Sequence, residues 1–180
     1  MKQNITIFIS IILMATILSS PIMAQGVESN KVNLIAPVEL SLAPGEQYCE
    51  QVVWISDEIR LVYTLRSEAI DDVIPFRSTI RRKLTSVCTV KNKAGDSIGT
   101  ITAVGVFDTN GNTSKPQDAY GYGQVERYTI ENPSNAKSSE QFYAWVRISL
   151  NGVPNGPVRA FSHVCVINCD ANGQSSATWD

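Results

Sequence analysis

His163 and Cys165 are the residues in this sequence whose types and spacing fit bond-breaking chemistry. Two positions apart on a strand, their side chains would share a face, where the imidazole could take the thiol proton and create a nucleophile. Together with Cys169 they could also supply part of a zinc site. Both uses need free thiols, so we interpret His163 as a structural residue beside a disulfide. We therefore expect no catalytic residue, no metal and no cofactor.

The sequence has four cysteines, which we expect to form two disulfides if the chain is exported: Cys49, Cys88, Cys165 and Cys169. Three connectivities are possible. Four residues of extended strand span about 13 Å, whereas bridged Cα atoms lie within about 7 Å, so a Cys165–Cys169 bond would need a turn between them. The turn-like composition of residues 168–173 favours this bond, together with Cys49–Cys88.

The N-terminus has the pattern of an export signal. Ile5 to Leu18 is a run of 14 residues without a charge, and Ala24 offers a small residue for cleavage before Gln25. An uncleaved membrane anchor is the alternative, but a spanning helix needs about 20 apolar residues. We predict a cleaved signal peptide (1–24), a domain over residues 25–180, and a periplasmic or secreted protein with no further membrane span.

The composition describes one ordinary globular domain. The 180 residues include 15 Lys+Arg against 17 Asp+Glu, one His and 43% hydrophobic residues. A single histidine excludes a multi-histidine metal centre, and the length is short for a two-domain enzyme. The acidic balance and the predicted export argue against a nucleic-acid partner.

Apolar residues recur at every second position in short segments that turn residues separate, which predicts strands. Residues 75–86 also fit a helix, but β-branched residues favour a strand there. We predict an all-β fold, a single-domain antiparallel β-sandwich of about eight strands that is immunoglobulin-like or jelly-roll-like, with a small barrel as the alternative. The predicted strands are 33–42, 47–55, 59–66, 76–91, 98–107, 125–130, 142–150 and 158–167, and residues 132–140 are predicted as a loop.

Tyr120 and Tyr122 are the leading candidates for a binding surface. They end a predicted loop, Asp108 to Gly123, and long loops on rigid β scaffolds often carry the binding function. Tyrosines present a large contact area at low entropic cost, which suits a protein or glycan partner. The alternative is that the rings fold back over the domain edge. The segment 108–112 also resembles the start of a calcium loop, but a simple Asn-Gly turn explains it better.

A basic stripe is the second candidate surface. Five cations share one parity on the predicted strand, and no acid interrupts the segment from residue 77 to residue 93. Such a stripe could attract an anionic glycan, a lipid head group or an acidic protein, although solvated strands are often cationic simply to prevent edge pairing. Its members are Arg77, Arg81, Lys83, Lys91 and Lys93.

The interval from Cys49 to Cys88 is similar to that of the cystine in bacterial chaperone–usher pilins. This resemblance implies an immunoglobulin-like sandwich that a neighbour's strand completes. Those subunits end in an alternating apolar strand, whereas residues 172–180 are polar, and we predict a flexible tail over residues 170–180. We therefore expect a non-enzymatic binding module. The alternatives are a secreted hydrolase inhibitor, a pilin-like assembly subunit and, third, a thiol- or histidine-dependent hydrolase.

Overall fold

A computed structural model describes residues 36–70, 79–157 and 160–180 of the chain. The predicted signal peptide and Arg77 lie outside these ranges. The described residues contain ten strands: β1 (Val38–Leu42), β2 (Tyr48–Ser56), β3 (Ile59–Ile70), β4 (Ile80–Asn92), β5 (Ser97–Thr109), β6 (Ser114–Val125), β7 (Tyr128–Ser139), β8 (Tyr143–Pro154), β9 (Phe161–Asp170) and β10 (Ser175–Trp179). None of the described residues forms a helix with the length and hydrophobicity needed to span a membrane.

All ten strands belong to one antiparallel sheet, in the order β1-β10-β9-β8-β7-β6-β5-β4-β3-β2. The sheet curls until β1 lies against β2 and β3, so it is nearly closed into a barrel. Strands β2 to β6 form a first wall, and β7 to β10 with β1 form a second wall that packs against it. The all-β prediction is confirmed. The prediction of a two-sheet sandwich of about eight strands is not confirmed, because ten strands form one sheet whose two walls are joined between β6 and β7 at Val125 and Tyr128.

Alternation along each strand places one set of side chains inside the barrel. On β3 the inward residues Ile59, Leu61, Tyr63 and Leu65 are buried, and on β8 the inward residues are Ala144, Val146, Ile148 and Leu150. This period-two burial is what the sequence pattern predicted. Residues 80–86 lie in β4, so the strand interpretation of that part of 75–86 is confirmed.

Three segments predicted as loop or tail are strands. β6 occupies most of the predicted loop from Asp108 to Gly123, β7 continues through residues 132–139, and β10 forms within the predicted tail. The sequence pattern missed β6 and β10 because their inward residues are small or polar: Ala119, Gly121 and Gly123 in β6, and Ser175 and Ala177 in β10. The tail prediction fails most clearly at Trp179, whose side chain is 2% exposed.

Short turns join the strands where the sequence predicted them. In the turn after β1, Glu46 N–H donates to the Ala43 carbonyl at 3.0 Å, and Gly45 adopts a φ of 89°. The predicted loop after β5 shrinks to a tight turn at Asn110, whose side-chain oxygen accepts from the main-chain N–H groups of Asn112 and Thr113 at 3.0 and 2.7 Å. The Asn-Gly turn interpretation is thus the one that fits the geometry.

Candidate binding surface

Tyr120 and Tyr122 project outward from β6, and their exposed fractions are 36% and 56%. They point outward because Ala119, Gly121 and Gly123, which alternate with them along β6, face the inside of the barrel. A Cβ atom on Gly121 would lie 2.6 Å from Leu150 Cδ2, so only glycine fits that inward position. The two rings are nearly parallel, with 18° between their planes and 6.4 Å between their centroids. The pair is therefore held on a strand rather than on a flexible loop.

The two tyrosines border a smooth apolar surface. Tyr120 is paired in register with Val104 on β5, and Tyr122 with Thr102. Val104 and Thr102 face outward, yet they are 0% and 6% exposed. Side chains of the neighbouring strands therefore cover them. We call this surface the tyrosine face, and it comprises Thr85, Val87, Thr102, Val104, Tyr120 and Tyr122.

The basic stripe is only partly assembled as predicted. Arg81 forms a two-pronged ion pair with Asp108, with Nε–Oδ1 at 2.7 Å and a second bond at 3.1 Å. Lys83 lies opposite Glu68 in the β3–β4 register. Lys93 lies in the turn after β4 and contacts Glu58 at 3.0 Å. Acidic residues from other parts of the chain thus lie beside the cations of the stripe. Residues 77–93 alone could not have predicted these neighbours.

A second aromatic group lies on the outer side of β2, at the edge of the same wall. Trp54 is 51% exposed and Tyr48 is 55% exposed. The Arg60 guanidinium lies 5.4 Å from the Trp54 ring centroid, which is a cation–π contact. Tryptophans on strands usually fill the core, but Trp54 and Trp145 both face outward here, since Trp145 is also 37% exposed. Strand membership alone does not reveal which face an aromatic residue occupies.

The four cysteines are free thiols in this structure. The predicted turn between Cys165 and Cys169 does not exist, because β9 runs straight through both residues. Cys49 on β2 and Cys88 on β4 lie on either side of β3, so the strands that carry them are about 10 Å apart. Both predicted pairings are therefore wrong on geometric grounds.

His163 and Cys165 share the inward face of β9, as their spacing predicted, and both are completely buried. Burial lowers the pKa of His163, although its bond to the main-chain oxygen of Asp180, at 3.0 Å, acts in the opposite direction. Burial raises the pKa of the Cys165 thiol, against a bond to Ser86 that lowers it. Both groups are thus held in their neutral forms away from solvent, which suits packing rather than proton transfer.

No group of three His, Cys, Asp or Glu side chains within the described ranges is arranged to hold a metal ion. Comparison with protein-family models, with curated proteins and with solved structures finds no match for this chain. Function is therefore inferred from the surface of the protein itself.

Proposed function

We propose that the protein is an exported, non-enzymatic binding module that captures a protein partner on the tyrosine face. The observation that carries this proposal is the pair of exposed, nearly parallel rings of Tyr120 and Tyr122, held on a rigid strand beside a buried floor. Rigid aromatic side chains lose little conformational entropy on binding and exclude water over a large area. They are typical anchors of protein interfaces.

A protein partner fits this surface better than a small molecule does. Small-molecule sites are concave and surround most of their ligand, whereas the tyrosine face lies on the outer side of a sheet. Protein interfaces are broad, with an apolar centre rich in Tyr, Trp and Arg and a polar rim. Here the exposed rings of Tyr120 and Tyr122 supply the apolar centre above the buried residues Thr102 and Val104, and Lys83 and Arg81 lie nearby on β4.

The charges beside the tyrosine face are balanced by neighbouring acids. Asp108 pairs with the guanidinium of Arg81, and Glu68 lies opposite Lys83 in the β3–β4 register. Charges at an interface rim mainly raise the association rate and make it depend on salt, and contribute less to final affinity. Capture should therefore depend only weakly on ionic strength.

The test is a capture experiment with immobilised protein and an extract of the exported fraction. Replacing both tyrosines, Tyr120→Ala and Tyr122→Ala, should reduce recovery of the partner by at least tenfold while leaving the thermal transition within a few degrees of wild type. Tyr143→Ala is the matched control, because Tyr143 is 60% exposed but lies on β8 in the second wall. Protease treatment of the extract should abolish capture, and periodate oxidation of its glycans should not. Equal recovery by the double variant, or capture that only periodate destroys, would contradict the proposal.

An assembly subunit is a second candidate, favoured by the two ends of the sheet. β1 and β2 are adjacent in the chain, yet among the described residues β2 pairs only with β3 and β1 only with β10. A strand edge with unpaired main-chain groups can accept a strand from another molecule. Light scattering after size-exclusion chromatography should then show oligomers that Val52→Lys on β2 disrupts. A monomer at every concentration would exclude this candidate.

A further inference from the structure

The strand positions of the four cysteines exclude several of the disulfides that they could form. The set that joins Cys49 to Cys88 and Cys165 to Cys169 requires bonds across an intervening strand and along a single extended strand. Neither bond meets the limit of about 7 Å between bridged Cα atoms. That set is excluded.

The second set, which includes Cys88–Cys169, is excluded because these two cysteines lie far apart where β4 faces β9 inside the barrel. Arg82 marks the end of β4 near Cys169: its Nε atom would lie 2.7 Å from a Cβ on Gly173, and its charge acts on the Cys169 thiol. Cys88 lies six residues further along β4, which is about 20 Å of strand. Cys88 and Cys169 are thus at opposite ends of the contact between these strands.

Ser86 places Cys165 against the part of β4 that contains Cys88. The Ser86 hydroxyl accepts the indole N–H of Trp179 at 2.8 Å, donates to the main-chain oxygen of Thr64 at 3.1 Å, and lies close enough to the Cys165 thiol to lower its pKa. Trp179 is the register partner of Cys165 in the second wall. Cys88 is the next inward residue after Ser86, and its charge state would act on Cys165. Strands β4 and β9 contact each other across the barrel, with some Cα atoms closer than the 10 Å or so that separates ordinary packed sheets.

We propose that Cys88 and Cys165 form a disulfide that joins the two walls of the barrel when the chain folds in an oxidising compartment. Cys88 and Cys165 are 1% and 0% exposed, so the bond would lie inside the core beside Tyr63 and Trp179. This inference rests on the proposed export and is independent of the tyrosine face. It replaces both pairings that the sequence suggested.

The reaction needs an oxidant that itself carries a disulfide, such as a thiol–disulfide oxidoreductase or oxidised glutathione. One cysteine thiolate attacks the oxidant's S–S bond, and the second cysteine then displaces the mixed disulfide. Cys88 and Cys165 together lose two electrons and two protons, and the oxidant leaves as two thiols. Burial raises the pKa of Cys88 to about 12 and also raises that of Cys165, so the folded thiols are protonated as well as inaccessible. The bond therefore forms before the barrel closes.

Peptide mapping without reduction tests the pairing. The full chain with Cys169→Ser is produced with export, blocked with an alkylating reagent and digested with trypsin. Cys88 then lies in peptide 84–91, Cys165 is the one cysteine of peptide 160–180, and Cys49 lies in peptide 32–60. We expect a species that contains peptides 84–91 and 160–180 and that reductant separates. Alkylated Cys88, or Cys88 linked to peptide 32–60, would overturn the proposal.

A thiol count provides a second measurement that does not depend on the digest. In the variant with Cys49→Ser and Cys169→Ser, only the proposed pair remains. We expect no reactive thiol in denaturant and a fall in the urea midpoint when reductant is added. Adding Cys88→Ser to this variant should expose one thiol and remove the response to reductant. Two reactive thiols in the first variant would contradict the pairing.

Discussion

At the scale of single residues, His163 shows how burial governs a polar group inside this barrel. Its side chain is 0% exposed and its ring lies 5.4 Å from that of Phe161. Nδ1 lies 3.0 Å from the main-chain oxygen of Asp180, so Nδ1 carries the proton and donates this bond. The neutral imidazole can donate this bond inside the barrel. A charged imidazolium could donate it too, but only after losing the hydration of its charge. Loss of hydration outweighs the nearby Asp180, and the pKa falls below its usual 6.5.

This lowered pKa predicts that stability declines as the solution is acidified from about pH 6.5. In that range the unfolded chain takes up a proton at His163 and the folded chain does not, so protonation favours unfolding. The decline continues down to the folded pKa and then levels off. His163→Gln should remove this part of the pH dependence, which urea titrations between pH 5 and pH 7 would measure. His163 is the one histidine in the sequence, so an unchanged slope in the variant would contradict the buried neutral state.

At the scale of strands, β6 explains both the candidate surface and the main failure of the sequence-based prediction. Strand prediction relies on apolar residues at alternate positions, and β6 instead places Ala119, Gly121 and Gly123 inside. Neighbouring residues fill the space that these small residues leave, as Ile148 and Leu150 do at Gly121. The Gly-Tyr-Gly alternation was the available signal, since it has the period of a strand with its large residues outward.

Filling one of these small positions should destabilise the fold. Gly121→Val would place atoms within 3 Å of Leu150 and Ile148, and overpacking of this kind costs about 1–3 kcal/mol. The matched control is Gln124→Val, because Gln124 is exposed on the same strand and should change stability by less than about 0.5 kcal/mol. Chemical denaturation of both variants measures the difference, and equal midpoints would contradict the inward direction of Gly121.

The other strands show how much local sequence reveals. β3, β4, β5 and β8 have regular alternation, and their existence and type were predicted. β10 was not, because its inward residues Ser175 and Ala177 are small and its burial depends on Trp179, whose N–H bonds Ser86. Residues 86 and 179 are distant in the chain, so that contact exists only after the walls meet. No local pattern could have indicated it.

At the scale of the whole molecule, the closing of one sheet on itself determines which residues face outward. Outward positions of β4, β5 and β6 align in register across the first wall, and this brings Thr85, Val104 and Tyr120 into one row. From the sequence, the two tyrosines could be selected as candidates, but they were assigned to a loop. Neither the buried residues beside them nor the acidic residues near the basic stripe could be predicted. Those features follow from long-range register, which depends on the complete sheet.

Site-specific photo-crosslinking tests the central claim, that the tyrosine face is the binding surface, most directly. A benzophenone side chain replaces Tyr122 in one variant and Tyr143 in another, so that equally exposed probes lie on opposite walls. We predict that irradiation with the captured partner yields a covalent complex from position 122, and at least tenfold less from position 143. Equal crosslinking from both positions, or crosslinking from position 143 alone, would contradict the account.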